Sequence, residues 1–274
     1  MRYLTSICLA ILFAPLLTLG ADAQTLTSHQ DLDWGSPYRW VHIDNIDAHK
    51  ASLFEGCRKT WLTNLRQGDH LLGDGRPLFW YAKGYSVQTY FTLYPFRTWS
   101  DMDARGKMAT ETMKAVGDAK AKAYDVGDSA LIPPHGSQIW RRNTDSDIAW
   151  AGTDSLTDLT ANVGRLEVRD IDWWHEEEVS KLWDEFQATL KKAKYPLACR
   201  MYSNVYGGNQ LEHILLWLAH DSAQYQSAPS LQAALTGTLG KERTIEMLAN
   251  FDRYFPVVKS YEIEKRVDLS NLGK

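Results

Sequence analysis

The chain has 274 residues, of which 44% are hydrophobic and 23% are charged, and it contains 11 Trp and 13 Tyr. This composition is typical of a folded globular protein and excludes a largely disordered one. The formal net charge of −4 is made up of both signs without a long basic run, so the sequence offers no electrostatic footprint for a nucleic acid.

A secretory signal peptide is predicted over residues 1–23. The chain has a basic residue at its start, Arg2, then an apolar run over 7–19 and an Ala-Asp-Ala triplet that ends at Ala23. This order is typical of a cleaved leader, and the run is shorter than the roughly 20 residues that span a bilayer. We expect cleavage after Ala23 and a periplasmic or secreted protein that has no later transmembrane segment.

The first patterned half is predicted over residues 37–143. Polar and apolar residues alternate over 38–43, as in a half-buried strand. An apolar stripe at helical spacing follows over 48–66. The remaining predicted elements are strands over 78–83 and 86–94 joined as a hairpin, a helical region over 98–124 broken at Gly106 and Gly117, and a strand over 137–142.

The second half, predicted over residues 164–267, repeats this order of elements. The pair Ile46-Asp47 before the first helix recurs as Ile171-Asp172, an offset of 125 residues from 47 to 172. Three apolar positions of the first helix match three of the second at the same offset: Phe54, Trp61 and Leu65 with Val179, Phe186 and Leu190. The repetition indicates one structural unit written twice.

A polar segment over residues 144–163 separates the halves and is predicted to be a linker. It is rich in Asp, Thr and Ser, and its acidic residues are Asp145, Asp147, Asp154 and Asp158. Alternate aspartates can form a calcium loop, but the Gly at the turn and the terminal Glu of that motif are absent. A plain linker is therefore the favoured interpretation.

Each half has the order β-α-β-β-α-β, the split ferredoxin-like plan, in which helices cover one face of an antiparallel sheet. Two such units can cover each other's second face. The predicted fold is therefore α+β: two tandem ferredoxin-like units packed sheet to sheet as an intramolecular α/β barrel. Over residues 38–266 this pattern resembles the dimeric α/β-barrel superfamily in a fused form. The resemblance implies a site between sheet and helices or inside the barrel, and it transfers no individual site residue.

The candidate site follows from an assumed strand phase. If Val41 and Ile43 face their own helices, the alternate side chains point between the sheets. Those side chains are Trp40, His42 and Asp44 in the first half and Arg165, Glu167 and Arg169 in the second. His42 is the candidate acid or base, because its reference pKa is near 6.5. The alternative is a structural network of ion pairs between the halves.

Further side chains could line the same space: Tyr81, Tyr90, Trp140, Arg200, Glu212 and Glu262. Aromatic walls with a few charges suit a small organic ligand, whose anionic part Arg169 or Arg200 would hold. They suit an ordinary packed interface equally well. His213 alternates with Leu211 and Leu215, which favours a hydrogen-bonded histidine on the helix-facing side over a ligand-binding one.

No metal or cofactor is predicted. The sequence has no zincin pattern, no recognisable haem context, no glycine-rich nucleotide motif and no Gly-x-Ser-x-Gly. Export permits a disulfide between Cys57 and Cys199. Their expected positions, on a helix of one half and a strand of the other, favour two partly buried thiols.

Two function classes remain open from the sequence. The leading one is an exported protein that binds a small aromatic or amphipathic molecule in the barrel, with or without cofactor-independent catalysis at His42. The alternative is a non-catalytic envelope module that binds another protein. A barrel filled by side chains would favour this alternative. Oligomers are possible in both cases and required in neither.

Overall fold

The computed structural model describes residues 36–69, 77–131, 136–150, 152–209 and 211–271. The predicted signal peptide and the chain up to residue 35 lie outside the described residues. Among the helices of the described ranges, none has the length and apolar character needed to cross a membrane.

Eight antiparallel strands form a closed barrel in the order β1-β3-β2-β8-β5-β7-β6-β4. The strands are β1 (Tyr38–Asp47), β2 (Leu78–Ala82), β3 (Val87–Phe96), β4 (Gly136–Arg142), β5 (Val163–Asp170), β6 (Ala198–Tyr206), β7 (Glu212–Ala219) and β8 (Val257–Lys265). β4 pairs with β1 and closes the barrel. This confirms the α+β class and the barrel that the superfamily resemblance implied.

Within the described residues, seven α-helices connect the strands. They are α1 (Ala51–Gln67), α2 (Trp99–Val116), α3 (Asp118–Leu131), α4 (Glu176–Lys192), α5 (Ser222–Ser227), α6 (Leu231–Leu239) and α7 (Lys241–Tyr254). In each half of the chain, one helix follows the first strand and a group of helices follows the third. The strand neighbours also repeat, β2-β3-β1-β4 and then β6-β7-β5-β8, and the two sets join at β2–β8 and β4–β6.

Some element boundaries differ from the prediction. Asp47 is the last residue of β1, and α1 begins at Ala51 instead of residue 48, after Lys50, whose side chain makes no capping hydrogen bond. Gly117 does separate α2 from α3, because its φ of 100° lies outside the helical region. Gly106 lies within α2 without interrupting it, since one glycine only weakens a helix. Helix α5 was not predicted.

Apolar side chains from both halves fill the barrel interior. The main ones are Val41, Leu78, Trp80, Phe91, Leu93, Trp140, Leu166, Tyr202, Ile214, Leu216 and Ile263. Full burial stabilises by roughly 1.5–3 kcal/mol for each Val, Leu, Ile or Phe side chain. The space predicted to be a ligand pocket therefore holds a packed core, and a ligand site inside the barrel stays a prediction.

The assumed strand phase is wrong. Val41 lies opposite Leu93, and both belong to the interior cluster together with Leu166 of the second half. The alternate positions of β1 and β5 therefore face outward, towards the helices. In these two strands the closed interior, which is shut off from water, takes the apolar positions Val41 and Leu166. The polar side chains of β1 and β5 lie on the outer face, which the helices cover only partly.

The helices cover the outer face of the barrel as the apolar stripes predict. In α4, the buried positions include Val179, Phe186 and Leu190, which pack with Met201 and Trp217 of the sheet. Their counterparts at an offset of 125 residues, Phe54, Trp61 and Leu65, are among the buried positions of α1. The helix faces therefore repeat between the two halves.

The polar segment between the halves closes one barrel end. Its residues 152–162, here called the plug, place Leu156 and Ala161 in the interior cluster. Asp158 is 2% exposed and accepts hydrogen bonds from Arg39 Nε at 2.9 Å and from the Tyr202 hydroxyl at 2.8 Å. The segment does connect the halves, but it is a folded part of the core rather than a loose linker.

Candidate functional site between the sheet and helix α4

The structure does not bring the predicted site residues together. Trp40 and His42 lie half-buried on the outer face of the first half, with ring centroids 4.4 Å apart. His42 Nδ1 is 2.9 Å from the Ser137 hydroxyl, and its ring meets Tyr94 edge-on. These side chains form an aromatic and polar cluster remote from the interior.

Tyr81 and Tyr90 also lie on the outer face of the first half, against α1. Their ring centroids are 5.1 Å apart, and the Tyr90 hydroxyl donates to Glu55 at 2.8 Å. Burial and the Glu55 hydrogen bond raise the pKa of Tyr90 far above its ordinary value. Glu55 is in turn paired with Arg266. This is a structural contact between α1 and the chain after β8.

Trp140 and Arg200 do point into the barrel, and Arg200 lies at the plugged end. Trp140 donates from Nε1 to the Gln138 side chain at 2.7 Å. Arg200 donates to the Leu156 carbonyl from Nε at 3.0 Å and to Asp147 at 3.2 Å. The hydrogen bonds of Arg200 therefore hold the plug and the residues before it in place.

Glu167 and Arg169 lie on the outer face of the second half. Arg169 donates to Glu167 at 2.7 Å and to the Phe255 carbonyl at 2.6 Å, and its guanidinium lies 4.9 Å from the Phe251 ring centroid. Arg165 approaches the other Glu167 oxygen at 2.8 Å. The ion pairs run along one strand instead of between the halves.

The remaining predicted residues also lie apart from one another. Glu212 points inward at the end opposite the plug, where its carboxylate is 3.4 Å from the Asn204 amide. Glu262 is exposed on β8, and its hydrogen bond helps to raise the pKa of Tyr225 above its ordinary value, after the larger effect of burial. Cys57 and Cys199 are both free thiols.

A cleft of about 200 Å³ lies between the outer face of the second-half sheet and α4. Its apolar walls are Ile171, Val179, Trp183, Met201 and Phe255, and its polar lining is Asn143, Ser146, Glu176, Ser180, Asp184 and His213. Apolar walls with a few positioned polar groups are the usual make-up of a small-molecule site. The cleft is therefore the best candidate site in the described part of the chain.

A chain of hydrogen bonds orders the polar side of the cleft. Asn143 donates to the Ser203 hydroxyl at 2.8 Å, and that hydroxyl lies 3.0 Å from His213 Nε2. His213 Nδ1 lies 3.3 Å from the Leu211 carbonyl, which can only accept. Nδ1 therefore carries the proton, and Nε2 accepts from Ser203. The sequence placed His213 correctly on the helix-facing side as a hydrogen-bonded histidine.

Burial is the main cause that lowers the pKa of His213, with a smaller contribution from the nearby Arg141 charge. Between the lowered folded pKa and the unfolded pKa, His213 therefore carries a proton in the unfolded chain but not in the folded chain. The contribution of neutral His213 to the free energy of unfolding is complete above the unfolded pKa of about 6.5. It is lost as the pH falls towards the lowered folded pKa.

We expect His213→Gln to flatten the pH dependence of stability below about pH 6.5. One proton changes the slope by at most about 1.4 kcal/mol per pH unit. Urea unfolding of both proteins at pH 7.5 and pH 5.0 measures the effect. Equal losses of unfolding free energy in wild type and variant would show that His213 does not titrate on unfolding.

The cleft does not fit a haem. Its volume is below the roughly 300–1,000 Å³ of pockets for drug-sized ligands. A haem iron needs an axial ligand such as a histidine nitrogen, but both ring nitrogens of His213 are hydrogen-bonded. The described ranges also contain no group of three or more His, Cys, Asp or Glu placed to hold a metal ion.

No protein-family model matches the chain, and no curated protein matches it. Several solved structures are similar to it. A chlorite dismutase variant from Candidatus Nitrospira defluvii is 11% identical, with a TM-score of 0.47 over 89% of this chain and 98% of that chain. A heme-binding protein from Thermus thermophilus is 8% identical, with a TM-score of 0.46 over 85% and 93%. An anthrone oxidase-like protein is 10% identical, with a TM-score of 0.41 over 87% and 94%.

Proposed function

We propose that this protein binds a compact aromatic or amphipathic molecule in the cleft beside α4. The observation that carries the proposal is the apolar cleft of about 200 Å³ with the ordered Asn143–Ser203–His213 chain on one side. A dry cavity of about 150 Å³ holds a molecule the size of benzene. The cleft therefore suits a ligand of one or two rings.

The polar side of the cleft favours a ligand with a single polar group. His213 is held neutral by its surroundings, so it presents no charge to a ligand. The acidic side chains of Glu176 and Asp184 lie on the α4 side and disfavour an anion. A neutral donor such as a phenol hydroxyl or an indole N–H fits this arrangement better than the anionic group expected from the sequence.

The test is native mass spectrometry of the protein from its own secretory route, followed by thermal unfolding with indole, phenol and benzoate. We expect a bound species or stabilisation by the neutral probes, about 2.7 kcal/mol at a hundredfold excess over Kd. Ser180→Trp should abolish the stabilisation by filling the cleft mouth from an exposed position. Lys181→Trp, on the solvent side of α4, is the matched control. A wild type that carries nothing and responds to no probe would contradict the proposal.

The same proposal includes export and a tandem architecture. The Arg2-to-Ala23 pattern supports cleavage to a chain that begins at Gln24, which the native mass would test directly. The repeated order of elements and of strand neighbours supports two ferredoxin-like units over 37–143 and 164–267, joined by 144–163. An experimental structure in which the two sets of strands do not superpose would contradict this.

One observation favours a second candidate function, a non-catalytic interaction module. The barrel interior is occupied by side chains, which is the feature expected of a module that acts through its outer surface. The mass spectrum separates the two candidates, because a module without a ligand site should carry no small molecule from its native source.

A further inference from the structure

An exposed tryptophan follows β5. Trp174 is 95% exposed, although large aromatic side chains usually lie at least partly buried. The turn that carries it is fixed: Asp172 accepts from the Trp174 backbone N–H at 3.1 Å and lies 2.8 Å from His175 Nδ1. Glu176, Glu177 and Glu178 follow at once and are exposed. We call residues 172–178 the Trp174 turn.

A groove of about 840 Å³ lies at the other end of α4. Its small lining residues are Ala193, Ala233, Ala234 and Gly237, and Lys192 and Lys194 rim it with exposed side chains. No heavy atom lies within 4 Å of the position that a Cβ on Gly237 would take, so the groove is open at this point. We call it the lysine-rimmed groove.

The two features are complementary but cannot meet within one molecule. α4 has 17 residues and separates them, which places them about 25 Å apart at 1.5 Å per residue. The Trp174 turn offers an aromatic side chain beside three carboxylates. The lysine-rimmed groove offers space above small side chains, between two ammonium groups.

We propose that the protein associates with a second copy of itself, head to tail, with the Trp174 turn of one copy in the lysine-rimmed groove of the next. Two different surfaces meet in such a contact, so the assembly closes as a ring or grows as a filament. The contact buries the Trp174 ring and sets Glu177 and Glu178 against Lys192 and Lys194. Glu176 of the Trp174 turn also lines the cleft, but the charge contact uses Glu177 and Glu178, which are not among the cleft's lining residues.

Sedimentation velocity over a concentration series tests the proposal. The wild type should associate, and Trp174→Ala should weaken association by roughly tenfold or more, since buried Trp anchors dominate interfaces. Gly237→Leu should do the same by filling the groove. Its helical position favours Leu over Gly and offers room for a side chain, so a loss of folding would not explain the result.

A charge exchange identifies the partner surfaces. Lys192→Glu with Lys194→Glu, and separately Glu177→Lys with Glu178→Lys, should each abolish association alone. A mixture of the two variants should restore it, because each then presents the opposite charge to the other. A wild type that stays monomeric, or a mixture that fails to associate, would overturn the proposal, whatever other partner the Trp174 turn binds.

Discussion

Replacement of Asp158 by Asn should lower the free energy of unfolding by about 3–5 kcal/mol, the usual effect of removing one partner from a buried ion pair. Arg39, which is 1% exposed, would keep its charge inside the barrel without the carboxylate that neutralises it. Arg39 also donates to the Ser36 carbonyl at 2.7 Å, but a neutral carbonyl does not balance the charge. Tyr202 would lose an ionised acceptor at the same time.

Urea unfolding at pH 7 measures this loss, and Asp154→Asn is the matched control. Asp154 belongs to the same plug but is exposed, and its carboxylate accepts from the Ser155 backbone N–H. Its replacement should change stability by no more than about 0.5 kcal/mol. Equal stabilities for the two variants would show that the plug does not depend on the buried pair.

The Asp158 pair also gives the plug a defined pH dependence. Burial by itself would raise the pKa of Asp158, but the Arg39 charge and the Tyr202 hydrogen bond together bring the pKa below its ordinary value. The contribution to stability is therefore complete above the unfolded pKa of about 3.9 and is lost as the pH falls through the lowered folded pKa. Asp158→Asn should lack this acid-sensitive part of its stability.

The hydrophobic periodicity of the sequence was enough to predict the barrel's strands and their order along the chain. Alternation over 38–43 identified β1, and the stripe through Phe186 and Leu190 identified α4. Periodicity does not say which face of a strand is enclosed, because both faces of β1 are covered. The direction in which His42 points therefore depended on the joining of the two halves at β2–β8 and β4–β6, which no local pattern reveals.

The plug could not be predicted for a related reason. Its aspartates have the composition of a solvated linker, and only tertiary structure places Asp158 beside Arg39, at a sequence separation of 119 residues. The cleft is assembled in the same way, from α4, side chains of β6 and β7, and residues next to the ends of β4, β5 and β8. Among its polar residues, His213 alone carried a signal in the sequence, the alternation with Leu211 and Leu215.

Glu167→Gln should lower the free energy of unfolding by about 3 kcal/mol, because it leaves the buried Arg169 without its carboxylate. The side chains of Glu167 and Arg169 are only 6% and 8% exposed. Arg165 contacts the same carboxylate from a side chain that is 31% exposed, so Arg165→Gln should lose less than about 1 kcal/mol. Thermal and urea unfolding of the two variants measure both losses. They compare removal of the buried Glu167 carboxylate with removal of its partly solvated partner Arg165. A loss from Arg165→Gln as large as that from Glu167→Gln would show that exposure does not set the strength of these ion pairs.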